Sequence, residues 1–461
     1  MITDLKPYAE YKESGSRWLG AVPVTWGVQN LRTLISKRTE RDRADLPLLS
    51  VARERGVFVR SLTDADENHN VIPDDLSNYK VARAGNLVIN KMKAWQGSMG
   101  IAPCDGIVSP AYFVFDFRIA NHAFGQRLLR SKPYVAHFGQ ASDGVRVGQW
   151  DLSIPGMRQI PVLIPPLEEQ VAIVRFLDWA NGRLERAIRA KRKVITLLNE
   201  QKQAIIPRAV TRGIDPFVPL KPSGIPWLGD IPAHWEVVRN MALFAHCVEP
   251  GEAGLPVLQV SLRSGITAED LDQFGRPKRL IADPKKYKRI QTGDVAYNTM
   301  RMWQGAVGVA PSDGLVSPAY VVLRPRCGTC SEFYDNLFHT EVYKQQVNRQ
   351  STGIVSDRNR LYWDSFKQMP NISLPRSEQD EIVVYIKAET LGLNSVVLRL
   401  EREIDLLREY RTRLIADVVT GKLDVREAAT KLLEDETLLD SEDTEDIDTA
   451  DDLNADEDPY A

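Results

Sequence analysis

The sequence predicts a mixed α/β (α+β) fold. Two similar globular domains are joined by two long antiparallel coiled-coil helices, and an internal pseudo-twofold duplication relates the halves. Three observations predict this. WQGSMGIAPCDGIVSPAY, from Trp95 to Tyr112, is repeated as WQGAVGVAPSDGLVSPAY from Trp303 to Tyr320. Sliding the chain by about 209 positions aligns the halves throughout, a period far too long for a solenoid repeat. Each half ends in a run whose apolar residues step by three and four, the spacing of one helix face.

The elements follow in chain order. SGSRWLGAVPVTW (Ser14 to Trp26) opens the first half and SGIPWLGDIPAHW (Ser223 to Trp235) the second. LVINKM, GIVSPAYFVF and IPVLIPP read as strands in the first domain, as do VAYNTM and VSPAYVVL in the second. FGQRLLRSKPYVAHF and SEFYDNLFHTEVYKQQV each read as a helix. IPVLIPPLEEQ (Ile160 to Gln170) pairs with MPNISLPRSEQ (Met369 to Gln379). Pro165 and Pro166 followed by Glu168 and Glu169 mark a helix start, because proline suits the first turn and acidic groups oppose its positive end. Domain bounds follow: 1–165 and 213–374 for the globular domains, 166–212 and 375–429 for the helices, and 430–461 for an acidic tail.

The first helical seam runs through Val174, Leu177, Asn181, Leu184, Ile188, Lys191, Ile195, Leu198, Lys202 and Ile205. The second runs through Val383, Ile386, Thr390, Leu393, Val397, Leu400, Ile404, Leu407, Arg411 and Leu414. Such a seam buries its apolar face only by pairing, and polar residues within it fix register at a cost in stability. Asn181 matches Thr390, and Lys202 matches Arg411. At 1.5 Å per residue a helix of this length reaches about 60 Å. That length corresponds to under ~18 base pairs of DNA, so the helices would make a ruler between two contacts on one duplex.

Charge points to a polyanion. Residues 434–461 hold 14 acidic side chains and no basic one, so the rest of a chain of net charge −3 carries +11. A basic body suits nucleic acid. The self-repelling tail is expected to be disordered, acting as a solubiliser or as a shield of the basic surface. The four cysteines fit a reducing compartment and a cytoplasmic protein. No apolar run reaches the ~18 residues a membrane span needs.

Catalytic motifs are missing. The sequence has no GxxxxGK[ST], HExxH or GxSxG, and its six histidines do not cluster. Cys327 and Cys330 form a CxxC without a second pair, which is weak evidence for zinc, so no metal site is expected. The SPAY segments lack the Asn or Asp of an amino-methyltransferase loop and read as strand ends.

The paired SG.PWLG..P..W openings, the NKMKAWQGSMGIAPCDGIVSPAYFVF core with its second copy, and PPLEEQ before a long helix together resemble a type I restriction-modification specificity subunit. The resemblance covers the chain to about Ala429. It implies two target-recognition domains, each reading one half of a bipartite site in double-stranded DNA, in a phage-defence system. It further implies docking of two methyltransferase subunits on the helices and of motor-nuclease subunits through them. S-adenosylmethionine, ATP and Mg would bind those partners, and this chain would hold no cofactor and carry no catalysis. The alternatives are a stand-alone bipartite DNA-binding regulator and an enzyme with an unfamiliar site.

On that footing the repeated phrase is scaffold, and specificity lies where the copies differ. Ser36–Arg60 differs from Cys247–Asp270, and Gly139–Asp151 from Asn348–Asp364. Arginine reads guanine bidentately, and Asn or Gln reads adenine. The base-contact candidates are Arg53, Arg55, Arg146 and Gln149 in the first domain and Arg263, Arg358, Asn359 and Arg360 in the second. Gln96 and Gln304, inside the repeated phrase, are base or phosphate candidates set against a local hydrogen-bond role. Lys91, Lys93 and Arg301 are phosphate candidates, which position without specifying. Trp95 and Trp303 are open to either DNA or core. Two unequal half-sites are expected.

Overall fold

In the computed structural model the described residues are 5–61, 75–146, 149–262, 265–268, 283–352 and 359–439. The chain divides into two units, Met1–Ala190 with Glu403–Ala461, and Lys191–Arg402.

Each unit is built on one antiparallel four-stranded sheet. In the first unit the order is Ile35–Arg38, Tyr112–Phe117, Leu87–Asn90, Met99–Ile101. In the second it is Phe244–Cys247, Tyr320–Pro325, Val295–Asn298, Val307–Val309. Smaller ladders repeat too: Gly27–Asn30 pairs Pro161–Ile164, and Glu236–Arg239 pairs Pro370–Ser373. The hairpin Leu49–Ala52/Gly56–Val59 answers Leu258–Ser261/Gly265–Ala268. All these ladders are antiparallel, which places the domains on the α+β side of the expected class. Aromatic and branched side chains from the sheet and the following helices form each core, for example Phe115, Phe124 and Tyr134 in the first unit and Tyr297, Phe333 and Tyr343 in the second.

Two expected elements are broken in both copies. Each single helix is a pair, His122–Leu129 with Lys132–Gln140 and Ser331–Phe338 with Glu341–Gln350. Ser131 and Thr340 are the extended residues between them, and their hydroxyls close the preceding helix by donating to Leu128 O and Leu337 O, each at 2.7 Å. GIVSPAYFVF is likewise two strands, Gly106–Val108 and Tyr112–Phe117. Pro110 lacks an N–H, so the chain turns there, with Tyr112 N bonded to Ser109 O at 2.9 Å. SPAY therefore lies at strand ends in each copy, closing Gly106–Val108 or Gly314–Val316 and opening the strand that begins at Tyr112 or Tyr320.

The long helices span Leu167–Arg212 and Arg376–Val419. Every seam position is buried or half-buried, whereas Leu197, Val384, Leu391 and Leu398 off the seam are exposed. The pairing is antiparallel in each unit. Arg411 bonds Glu185 in the first, and Lys202 Nζ bonds Asn394 Oδ1 at 2.9 Å in the second. These two ties exchange under the 209-residue shift, so the duplication extends to single hydrogen bonds.

The second long helix stops earlier than the expected 375–429. Gly421 adopts φ 77°, a left-handed value that terminates a helix cheaply only at glycine. The chain then restarts as a helix over Arg426–Leu439, so the expected tail at 430–461 begins inside a helix. Val425, Ala429 and Leu432 anchor this segment in the first core. Residues 440–461 lie outside the described residues.

Candidate nucleic-acid interface

The repeated motifs converge on one joint in each unit. Trp26 Nε1 donates to Glu169 Oε1 at 3.0 Å, and Trp235 Nε1 donates to Glu378 Oε1 at 3.0 Å. The Tyr8 hydroxyl also bonds Glu169, and burial with that carboxylate pushes its pKa far up. Next in sequence, Gln170 Oε1 accepts from Asn121 N (3.0 Å) and its Nε2 donates to Pro165 O (2.8 Å). Gln379 accepts from Cys330 N (2.7 Å) and donates to Gly328 O and Leu374 O. The Glu-Gln pair of each helix start thus bolts the helix to its own domain. Burial makes such bonds costly to leave unmade.

The repeated glycines set the hairpin and the 3-10 turn of each unit in place. A Cβ on Gly100 would stand 2.9 Å from Val57 N, and one on Gly308 2.7 Å from Ile266 N. Only glycine lets the core sheet approach the hairpin backbone that closely. Gly97 and Gly305, at φ 90° and 96°, end the 3-10 turns Ala94–Gln96 and Met302–Gln304.

The first-unit candidates fall into two groups on this frame. Arg53 and Arg55 occupy the exposed turn of the 49–59 hairpin, with Arg55 over the Phe58 ring at 3.9 Å. Arg130 Nη2 fixes that turn by donating to Arg53 O (2.6 Å) and Glu54 O (2.7 Å). Gln96 is half-buried on its 3-10 turn, and Lys93 is exposed beside it. This turn meets the hairpin Ser142–Arg146/Gln149–Leu152 through Trp95 against Trp150, ring centroids 5.1 Å apart. Lys91 joins the same contact, with Nζ 2.9 Å from Asp151 Oδ2. The backbones of Arg146 and Gln149 are the last pair in the hairpin register. Trp95 and Trp303 are half-buried, with each indole N–H spent on a local carbonyl, Met92 O or Met300 O.

In the second unit Gln304 and Arg301 are exposed on the equivalent turn. Asn359 Nδ2 bonds Asn348 Oδ1 at 3.2 Å, and Arg360 forms a backbone bridge with Thr352. Arg263 and Arg358 lie outside the described residues.

The fold adds cationic groups that local sequence did not single out. Lys80 Nζ donates to Pro110 O (2.7 Å) and Tyr112 O (2.6 Å), capping the turn into the SPAY strand. Its pKa is lowered, first by burial and then by the charges of Lys37, Arg41 and Lys91. Lys37, Arg41 and Lys91 therefore lie near enough to oppose the charge of Lys80. In the second unit Lys288 Nζ takes the same place on Tyr320 O (2.6 Å), but His246 replaces Lys37 and stacks on Trp363. The alignment of NYKVARAG with KYKRIQTG could have found the lysine pair; the charges around it need the sheet.

Among the described residues no group of three or more His, Cys, Asp or Glu side chains could hold a metal ion, and no helix is long and apolar enough to cross a membrane. Cys327 is exposed and Cys330 buried, both as free thiols.

The chain shares its fold with a component of a type I R-M system. That solved chain, from work described as the structural basis underlying complex assembly and conformational transition of the type I R-M system, matches with a TM-score of 0.61 at 15% identity, over 87% of this chain and 99% of its own. The HsdS subunit from Thermoanaerobacter tengcongensis matches at TM-score 0.43 and 17% identity, over 87% and 98% of the two chains. The type I restriction-modification S subunit from M. genitalium matches at 0.31 and 10%, over 85% and 96%. No family model and no curated protein matches the chain. The fold implied by the resemblance is thus the fold found.

Proposed function

We propose that this chain is the DNA sequence-specificity subunit of a type I restriction-modification complex. Its two globular domains each read one half of a bipartite target. Its long helices set the spacing and dock two methyltransferase subunits, through which motor-nuclease subunits join. The chain itself performs no catalysis; S-adenosylmethionine serves the methyltransferase, and ATP with Mg serves the motor.

The observation that carries this reading is the pairing of conserved geometry with divergent loops inside one chain. Both copies keep the glycine-backed hairpin, the 3-10 turn and the Glu-Gln joint. The copies differ in the sequence those elements carry: Arg53, Glu54 and Arg55 before Gly56, but Leu262, Arg263 and Ser264 before its counterpart Gly265. A duplicated scaffold with unlike reading surfaces suits two unlike half-sites better than a palindrome. The exposed Val384, Leu391 and Leu398 recur every seven residues outside the seam, which suits a helix that docks a further partner.

The test is selection from random duplex DNA by the chain assembled with its methyltransferase. The expected product is one motif with two fixed blocks and a spacer of constant length. Equally selective binding by the chain alone would move the reading to a stand-alone regulator.

A further inference from the structure

One corner of the duplicated fold is filled differently in the two units. In the first, Arg130 follows the helix His122–Leu129 and ties the hairpin turn through the carbonyls of Arg53 and Glu54. One turn earlier, Gln126 Oε1 accepts from Ile101 N at 2.8 Å. The guanidinium lies so close to the hairpin that a Cβ on Gly56 would be 3.0 Å from Nη1.

The second unit keeps the hairpin and its glycine, Gly265 at φ 64°. At the matching positions it carries His339 for Arg130 and Asp335 for Gln126. Both side chains are shorter. Among the described residues, a Cβ on Gly265 would meet nothing nearer than Gly308 Cα at 3.9 Å. A cavity of about 460 Å³ opens there, lined by Gly265, Val309 and Asp335 and walled by Ile206 and Ile386. His339 lines an adjoining pocket that shares Gly265 and Asp335. Asp335 Oδ1 is closed off from solvent and accepts no hydrogen bond from the described residues. His339 Nδ1 is 3.5 Å from it but lies 2.8 Å from the backbone carbonyl of Asp335, where a proton on that nitrogen is spent.

We propose that this cavity binds an alkylguanidinium cation, seated where the Arg130 guanidinium sits in the first unit, with Asp335 as its counter-ion. The first unit demonstrates that this corner accommodates a planar, multiply donating cation against the hairpin backbone. A buried carboxylate oxygen without a donor is a costly arrangement that such a cation relieves. The volume far exceeds what one water needs, leaving room for a headgroup and its alkyl stem. The neighbouring cations are already engaged, Lys202 by Asn394 and Lys387 by Glu332. An occupant beside Gly265 would steady the paired strands Leu258–Ser261 and Gly265–Ala268, and so bear on what the second domain reads. The cation has two possible sources, a free small molecule or an arginine side chain of a docked subunit; the second source rests on the proposed function.

The test is calorimetric titration of the full-length chain with N-ethylguanidinium at millimolar concentration, far below denaturing levels. One saturable site is expected, with slower amide exchange over 258–262 on binding. Asp335→Asn should weaken binding at least tenfold, and His339→Arg, which fills the corner from within, should abolish it while the melting temperature holds or rises. Absence of saturable binding to the wild-type chain, or binding unaltered in His339→Arg, would overturn the proposal whatever the chain's role. Repeating the titration on the methyltransferase complex separates the sources. A site still open there takes a small molecule, and a site closed there holds a partner's arginine.

Discussion

Replacing Gln379 with alanine should loosen the second unit and leave the first intact. Gln379 is 1% exposed and makes three bonds, from Cys330 N at 2.7 Å, to Gly328 O at 2.8 Å and to Leu374 O at 2.9 Å. Truncation strands one buried N–H and removes a donor from two carbonyls. A buried group left unsatisfied costs about 1–3 kcal/mol, with the N–H at the upper end because it has one chance to bond and a carbonyl has two. The total expected is on the order of 3 kcal/mol. Gln170 makes two such bonds in the first unit, so Gln170→Ala should cost about 2 kcal/mol there. A two-unit chain does not unfold in one step, so a single melting curve would blur the effect. Hydrogen exchange resolved by peptide, as a function of urea, reads each unit separately. Gln379→Ala should lower protection of 331–350 and of the strands 295–298 and 320–325, and leave 87–90 and 112–117 unchanged. A loss below ~0.5 kcal/mol, within the range of an ordinary surface substitution, would refute the joint. So would an equal loss in both units.

Two further outcomes follow from the same geometry. Burial pushes the Asp335 carboxyl up to about 6 from an ordinary 3.8, with nearby Glu332 adding to the rise and His339 opposing it. The folded state therefore holds that proton more tightly than the unfolded chain, and stability falls as pH rises from about 4 to 6. Asp335→Asn should match the wild type near pH 4 and exceed it at pH 7, by about 1–2 kcal/mol once the 29% exposure of the side chain is allowed for; urea midpoints at the two pH values check this, and a variant less stable at pH 7 would contradict it. Lys91→Met should weaken binding to cognate and mismatched DNA alike and reduce the salt slope by about 1, whereas Arg146→Ala should relax one half-site only; fluorescence anisotropy against both duplexes at several salt concentrations separates the two.

The duplication and the seams were legible because they rest on local spacing. Steps of three and four are written in neighbouring residues, and Val383 through Leu414 took the burial they announced. The repeated glycines could be read as turn residues, but not as close approaches: the atom that excludes a side chain at Gly100 belongs to Val57, across a hairpin. The joint was hidden for the same reason. Trp26 and Glu169 are 143 residues apart, and nothing near either names the other. Glu169 looked like a carboxylate placed for the helix end, yet it is buried and accepts the indole N–H. The helix breaks at Ser131 and Thr340 were missed because the apolar spacing continues through them. The candidate arginines were chosen by chemistry and by divergence between copies. That logic located the hairpin turn at Arg53 and Arg55, but it could not supply the nearness of Lys37 and Lys91 to Lys80, which exists only once three strands and a turn are assembled.

The most direct measurement is the base-resolved methylome of cells with the chain deleted, restored, and restored with residues 213–374 exchanged for those of a relative. The proposed function predicts that deletion erases methylation at one bipartite motif. The exchange should then restore methylation at a motif with the first block unchanged and the second block new. Methylation unchanged by deletion, or a domain exchange that alters both blocks together, would contradict it.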